Sequence, residues 1–437
     1  MTAAILPALH AAIGAATLRP LRGRVERVVG SMVEARMGGV RVGELCRLHG
    51  ANNSAALAEV VGVSDRAAML APIGDVQGLA AGTEVEPVGH GLATPVGREL
   101  LGRVLDGLGR ALDRPEDTLD HLRHVPIDGV APNPIDRPMV VNALPLGTRV
   151  LDAMLTCAEG QRIGIFGPAG AGKSTLMARI VRGADADVFV VALVGERGRE
   201  VREFIEKSLG PEGMARAVVV AATSDRPALE RVKAAQTATA IAEHFRDQGN
   251  KVVLFVDSVT RLARALREIG LAAGEPPTRR GFPPSVFATL PRLLERAAST
   301  HAGSITAFYT VLVEGELAAD PVAEEVKSIL DGHIVLSPKL AEAEHHPAID
   351  VLVSRSRVME AVTTEEHQDA AARIRQLMAR HAEIELLVRV GEYQRGSDPL
   401  ADEALDKIDD IRDFLKQRGL AMTPFDETIE RLRMLAQ

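Results

Sequence analysis

The sequence predicts a multidomain protein with an N-terminal β-barrel, a central α/β domain on a mainly parallel sheet, and a C-terminal α-helical domain. Three observations predict it. Short, partly alternating strands with glycine punctuation fill residues 21 to about 90. From about residue 150, apolar runs suited to buried strands alternate with helical stretches. From residue 364 onward, apolar positions recur at i, i+3 and i+4.

The barrel strands are read over 22–29, 40–46, 56–63 and 84–88. A proline-rich stretch, 125–145, carries Pro126, Pro132, Pro134 and Pro138 and reads as a domain junction. Buried strands follow over 162–166, 188–194, 217–222, 252–256 and 304–309, with helices over 200–209 and 229–248 between them. The C-terminal helices break near Gly396 and Pro424. The expected boundaries are an N-terminal segment 1–20, a barrel 21–92, an α/β domain 93–362 and a helical domain 363–437.

Composition narrows the function. Aromatics make up 3% of the chain and Trp is absent, which argues against a base-stacking surface for single-stranded nucleic acid. A net charge of −8 disfavours non-specific nucleic-acid binding, so no nucleic-acid partner is expected. Cys46 and Cys157 have no metal-like spacing and read as small buried hydrophobes. Residues 1–18 are mildly apolar, lack a basic flank and are interrupted by Pro7, His10 and Gly14. They read as neither signal peptide nor membrane span. A short amphipathic helix for self-association or membrane contact and a frayed terminus remain open for them.

The strongest chemical signal is Gly167-Pro168-Ala169-Gly170-Ala171-Gly172-Lys173-Ser174, followed by Thr175. A buried strand runs into it and a helix runs out, the context a phosphate-binding loop requires. The glycines let backbone N–H groups turn inward around phosphate oxygens, and the helix N-terminus adds positive potential. Lys173 is placed to reach the β- and γ-phosphates, and the Ser174 hydroxyl to ligate Mg²⁺. The expected ligands are therefore ATP and Mg²⁺. Asp257 ends the run 252–256, where a carboxylate completes the metal's surroundings. Its ordinary alternative is a strand-end Asp capping a turn. Glu196 follows the run 188–194 and is placed to polarise a water, with Arg197 beside it. A solvated Glu-Arg turn fits those two residues equally well. Arg355 and Arg357 lie beyond the sheet. Phosphoryl transfer has a use for an arginine from a neighbour, although a surface pair is more often a solvated face.

These residues sit in longer stretches that resemble one family. GQRIGIFGPAGAGKS (160–174), VGERGREVREFIE (194–206), DSVTR (257–261) and GEPPTRRGFPPSVF (274–287) are among them. LGRVLDGLG (101–109), GSITAFYTVLVEG (303–315), SILDGHIVLS (328–337) and PAIDVL (347–352) complete the set. The chain resembles the catalytic ATPase of bacterial type III secretion systems, a family related to the flagellar export ATPase and the rotary ATP synthase catalytic subunit. The resemblance runs from about residue 22 into the C-terminal helices. ATSDRPALER (222–231), TRRG (278–281) and EVKSIL (325–330) look like the injectisome branch rather than the flagellar one.

The resemblance implies a RecA-like P-loop core. It assigns Glu196 as the water-activating carboxylate, Arg197 as its neighbouring active-site arginine and Asp257 as the Mg²⁺-side aspartate. Arg357 falls on the arginine finger that enters the next subunit's site in a homohexameric ring. The implied partners are a central stalk, a peripheral stator, chaperone–effector complexes and the export gate, with the ring cytoplasmic and peripheral at the inner membrane. The implied job is to free effectors from chaperones and promote their unfolding and export. Several residues depart from the family pattern. His346 stands at the base-packing aromatic position, Arg355 at an apolar one and Glu316-Leu317 at an aspartate pair. Ser337-Pro338 lacks the usual basic residue, and Gln236 and Leu262 replace aromatics. The alternatives are a flagellar export ATPase, a Rho-like RNA translocase and a non-catalytic rotary subunit; the last typically lacks the carboxylate at Glu196.

Overall fold

The computed structural model describes residues 22–50, 55–74, 78–313, 315 and 319–437. Segment 1–20, with the expectation of self-association or membrane contact there, lies outside the described residues, as do Glu316 and Leu317. The chain forms two compact units. One runs up to Leu92 and takes in Ala272–Gly274; the other comprises Ala93–Leu271 and Glu275–Gln437.

The first unit is a closed antiparallel barrel. Its strands are β1 (Gly23–Val29), β2 (Met32–Arg36), β3 (Leu45–His49), β4 (Ala55–Val63), β5 (Ala67–Ile73) and β6 (Glu84–Pro87). They close in the order β1-β2-β5-β4-β3-β6. Side chains alternate across the wall, so Val25 points inward between Arg24 and Glu26. Val33, Ala35, Leu48, Val60, Leu70 and Val85 fill the interior. The strand expected over 40–46 starts only at Leu45. Gly43 takes φ +89°, and the turn closes with Glu44 N–H donating to the Arg41 carbonyl at 3.1 Å.

The second unit holds the remaining strands: β7 (Ala93–Val96), β8 (Val104–Asp106), β9 (Arg123–Pro126), β10 (Arg162–Gly167), β11 (Val188–Glu196), β12 (Ala217–Thr223), β13 (Lys251–Asp257), β14 (Ser304–Leu312), β15 (Gly332–Val335) and β16 (Arg355–Ser356). Its helices are α1 (Arg149–Met154), α2 (Lys173–Gly183), α3 (Gly198–Glu203), α4 (Gly210–Met214), α5 (Ala228–Asp247), α6 (Val259–Ala272), α7 (Pro284–Leu294), α8 (Pro321–Ile329), α9 (Pro338–Glu342), α10 (Met359–Val362), α11 (Glu365–Arg389), α12 (Pro399–Leu415) and α13 (Phe425–Ala436). The helix expected over 200–209 begins as α3 and passes into a π turn at Phe204–Leu209. The main sheet has the order β16-β15-β10-β14-β13-β11-β12-β8 and is parallel except where β16 returns along β15.

Both faces of that sheet are buried. Val190, Ala192 and Val194 join a core shared with Ala235, Ala238 and Ile241 of α5. Phe189, Val191 and Leu193 join the opposite core, which also contains Ile374 and Leu377 of α11, Phe414 of α12 and Leu432 of α13. Each such Val, Leu, Ile or Phe side chain contributes about 1.5–3 kcal/mol by leaving water. The C-terminal helices thus close one face of the sheet. Arg149 on α1 fastens them, its Nε donating to the Phe414 carbonyl at 2.7 Å. The proline-rich stretch 125–145 lies inside this unit, and the change of unit falls at Leu92. Arg137 pins that stretch by pairing with Glu295 at 2.7 Å.

Candidate active site

In a parallel sheet the loops that can meet a ligand leave the C-terminal ends of the strands. Here β10, β14, β13 and β11 lie side by side, with Leu193 in register with Asp257 and Gly167 with Leu312. Their ends form one rim carrying the phosphate-binding loop, Asp257 and Glu196.

The loop's backbone is already curled. Gly170 and Gly172 adopt φ +81° and +89°, and a Cβ on either would meet nothing within 4 Å. Backbone conformation rather than crowding requires glycine there, and the space beside the loop is open. No side chain caps the first turn of α2, so its N–H groups are free for an anion. Lys173 is only 8% exposed, and its Nζ donates to the carbonyls of Gly167 at 3.0 Å and Pro168 at 2.6 Å. Burial pushes its pKa down, while Asp257 and Glu196 oppose that shift. Ser174 and Thr175 are exposed at the loop's outlet.

Glu196 ends β11 and is 9% exposed. Its carboxylate lies 2.9 Å from Arg261 Nη1, which also donates to the Gly195 carbonyl. Gly195 has φ +69°, and a Cβ there would crowd the Arg261 side chain at 3.2 Å. Burial raises the Glu196 pKa well above the usual carboxylate range. A hydrogen bond with Glu200 and the charge of Asp257 add to the rise, and Arg261 only partly offsets it. Asp257 is 8% exposed, accepts a hydrogen bond from the Thr310 hydroxyl, and has its pKa raised by burial. Arg197 is exposed and pairs with Glu200 at 3.4 Å.

A cleft of about 530 Å³ opens beside the loop, lined by Gly172, Thr175, His346, Pro347 and Leu420 among others. His346 is half-exposed there, 3.7 Å from the Glu344 carboxylate. Arg357 is not brought to this rim. It follows β16 at the sheet's edge, is exposed, and donates to the Lys327 carbonyl at 3.3 Å. Arg355 on β16 is exposed as well. Leu262 is buried in the core, and Gln236 donates to Asp128 at 3.2 Å. Ser337 precedes α9 with Pro338 in its first turn, where a missing N–H costs nothing.

Three side chains here were not assigned roles from sequence: Arg261, Glu200 and Thr310. Glu200 stands four residues after Glu196, and Arg261 closes the DSVTR stretch. Thr310 gave no signal, since its partner is set by strand register. Among the described residues, no group of three or more His, Cys, Asp or Glu could hold a metal ion by itself. One buried carboxylate and a hydroxyl suit Mg²⁺, which keeps waters and takes phosphate oxygens as ligands.

Residues 147–356 match the nucleotide-binding domain of the ATP synthase alpha/beta family, and residues 25–89 match its beta-barrel domain. Residues 363–434 match the T3SS EscN ATPase C-terminal domain. The type 3 secretion system ATPase of Sinorhizobium fredii is 56% identical over 94% of this chain and 91% of its own. The chain belongs to the type 3 secretion system ATPase family. It is accordingly an ATP hydrolase. The assembled ATPase EscN of enteropathogenic E. coli superposes with a TM-score of 0.91 at 46% identity, covering 95% of this chain and 100% of that one. EscN in complex with its central stalk EscO gives 0.87 at 45% identity over the same shares. The flagellum-specific ATP synthase of Bacillus subtilis is 48% identical over 94% of each chain. No helix among the described residues is long and apolar enough to cross a membrane.

Proposed function

We propose that this chain is the catalytic subunit of a homohexameric ring, in which each ATP and Mg²⁺ is held at the rim of one subunit and completed by Arg357 of the next. The observation that carries this reading is a separation within one chain. Lys173, Glu196 and Asp257 converge on the rim and are nearly buried, while Arg357 stands exposed beyond the edge strand β16 and away from that rim.

The roles follow from chemistry. The backbone of 167–172 and Lys173 hold the phosphates. Ser174 and Asp257 hold Mg²⁺, which when bound neutralises phosphate charge. Glu196 accepts a proton from the attacking water, and Arg261 fixes where that carboxylate points. Arg197 stands beside it, tied to Glu200. Thr175 and His346 line the base end of the cleft. Arg357 spreads the transition state's charge from the neighbouring subunit.

Hydrolysis in the ring would strip chaperones from effectors and promote their unfolding and export. The ring would sit in the cytoplasm against the inner-membrane export apparatus, with its central stalk, stator and gate. The stalk-bound EscN structure supports the stalk. The similarity to a flagellum-specific ATP synthase supports a flagellar role as the second reading. Stimulation by flagellar rather than effector chaperones would favour it. The test is ATPase rate per chain against protein concentration, with mass measured in parallel. A rate that rises with assembly supports a shared site; a flat rate from a monomer removes Arg357 from the mechanism. Stimulation by RNA alone would replace the export reading with a translocase.

A further inference from the structure

Arg357 is exposed at its tip but fixed at its base. Its guanidinium donates to the Lys327 carbonyl at 3.3 Å, and its backbone N–H donates to the Asp331 carbonyl at 2.9 Å. The strand that delivers it, β16, is two residues long and pairs with β15 at two positions, Ser356 with Gly332 and Arg355 with His333. A ladder that short fixes little by itself.

A third element supplies the rest. Gln161 is 1% exposed and stands immediately before β10. Its Nε2 donates to the Asp331 carbonyl at 3.2 Å and to the Ser356 hydroxyl at 3.1 Å. Its Oε1 accepts from the Ala158 N–H at 3.0 Å, so both amide hydrogens and the oxygen are used. The Ser356 hydroxyl in turn donates to the Thr156 carbonyl at 2.9 Å. The Asp331 carbonyl therefore takes the Arg357 N–H and the Gln161 amide together. Asp331 is itself held, its carboxylate accepting from the Arg162 N–H at 3.0 Å and from its Nε at 3.1 Å. Gly332 leaves the clearance this needs. A Cβ there would stand 2.9 Å from the Arg355 carbonyl oxygen and 3.0 Å from Gln161 Nε2.

We propose that Gln161, acting through Asp331 and Ser356, is a positioning residue for Arg357 in the next subunit's site. This rests on the reading of Arg357 as a group supplied across the interface. A side chain that must meet a transition state there loses about a hundredfold in rate when its base moves by about 1 Å. A buried amide with three hydrogen bonds prevents that movement, and breaking it leaves buried groups unpaired. Gln161 takes no part in its own subunit's phosphate site: an extended strand of about 20 Å separates it from Gly167. An amide that merely closed a sheet edge would cost stability and would favour neither side of a subunit interface.

The test is hydrolysis by mixed full-length proteins under assembling conditions, with mixing confirmed by mass. Gln161→Met keeps the side chain's length and removes all three hydrogen bonds. It lowers kcat roughly a hundredfold and leaves the KM for ATP within about twofold of wild type. Mixed with Glu196→Gln it regains activity, because its own Glu196 then meets an Arg357 that is held. Mixed with Arg357→Ala it stays inactive, because every Arg357 is displaced or missing. Ser356→Ala, which removes one end of the clamp, behaves the same way with a smaller loss. The mixture of Glu196→Gln with Arg357→Ala is the control. If that control stays inactive, the shared-site reading falls and the positioning role with it. If the control recovers, three results overturn the positioning role alone: wild-type turnover in Gln161→Met, rescue of it by Arg357→Ala, or rescue by neither partner. Failure of both Gln161→Met and Ser356→Ala to assemble shows a purely structural amide and overturns it as well.

Discussion

The strand-end rim of the main sheet and its β16 edge are built differently. On the rim at β10, β11 and β13, Lys173, Glu196 and Asp257 are nearly buried and partnered: Lys173 to backbone carbonyls, Glu196 to Arg261, Asp257 to Thr310. At the β16 edge, Arg357 is exposed and holds one carbonyl at 3.3 Å. Preorganisation is concentrated where phosphates and water must be fixed before the reaction. In the proposed mechanism, the group needed only in the transition state is left to arrive from the next subunit. That difference teaches that one fold can be catalytically equipped and still incomplete.

Substitutions can break the contrast. Arg357→Ala is expected to lower turnover of the assembled ATPase about a thousandfold or more while leaving ATP affinity nearly unchanged. Paired turnover and nucleotide-titration measurements check it. Glu196→Gln should cost about 10²–10⁴ in turnover, again with binding retained, because the amide cannot take the water's proton. Lys173→Ala, by contrast, should lose binding as well.

The pH dependence sharpens the same comparison. Glu196 must be ionised to act as a base, and burial raises its pKa. Activity should therefore fall as pH drops through a value above the ordinary carboxylate range, giving an acid limb in kcat/KM close to neutrality. Glu200 contributes to that rise, so Glu200→Gln should move the limb to lower pH. A limb that stays put would remove Glu200 from the site. The smallest effect belongs to the base end. His346→Tyr should tighten ATP by about two- to tenfold by offering a larger ring to the base, read by equilibrium binding.

The phosphate loop was legible because its spacing is dictated by backbone geometry around a phosphate, which local sequence fully contains. The long apolar strands were legible because both faces are buried. β2 and β5 were not read: β2 mixes charged with apolar residues and β5 is a short run of small and apolar ones without alternation, and pairing across the barrel fixes both. Glu196 could be proposed from its strand end, but Arg261 and Thr310 reach it and Asp257 through register and a helix start that sequence spacing does not reveal. The helical period of 365–389 was plain, yet its partner was not. Ile374 and Phe189 share a core only because the chain folds back across the sheet.

The central claim is that Glu196 and Arg357 serve the same site from different subunits. It is tested most directly by mixing Glu196→Gln and Arg357→Ala proteins, each nearly inactive alone, under assembling conditions with mixing confirmed by mass. The account predicts that ATP hydrolysis returns in the mixture, greatest near equal amounts, because some interfaces then hold an intact pair. A mixed ring that stays as inactive as either parent at every ratio would contradict it.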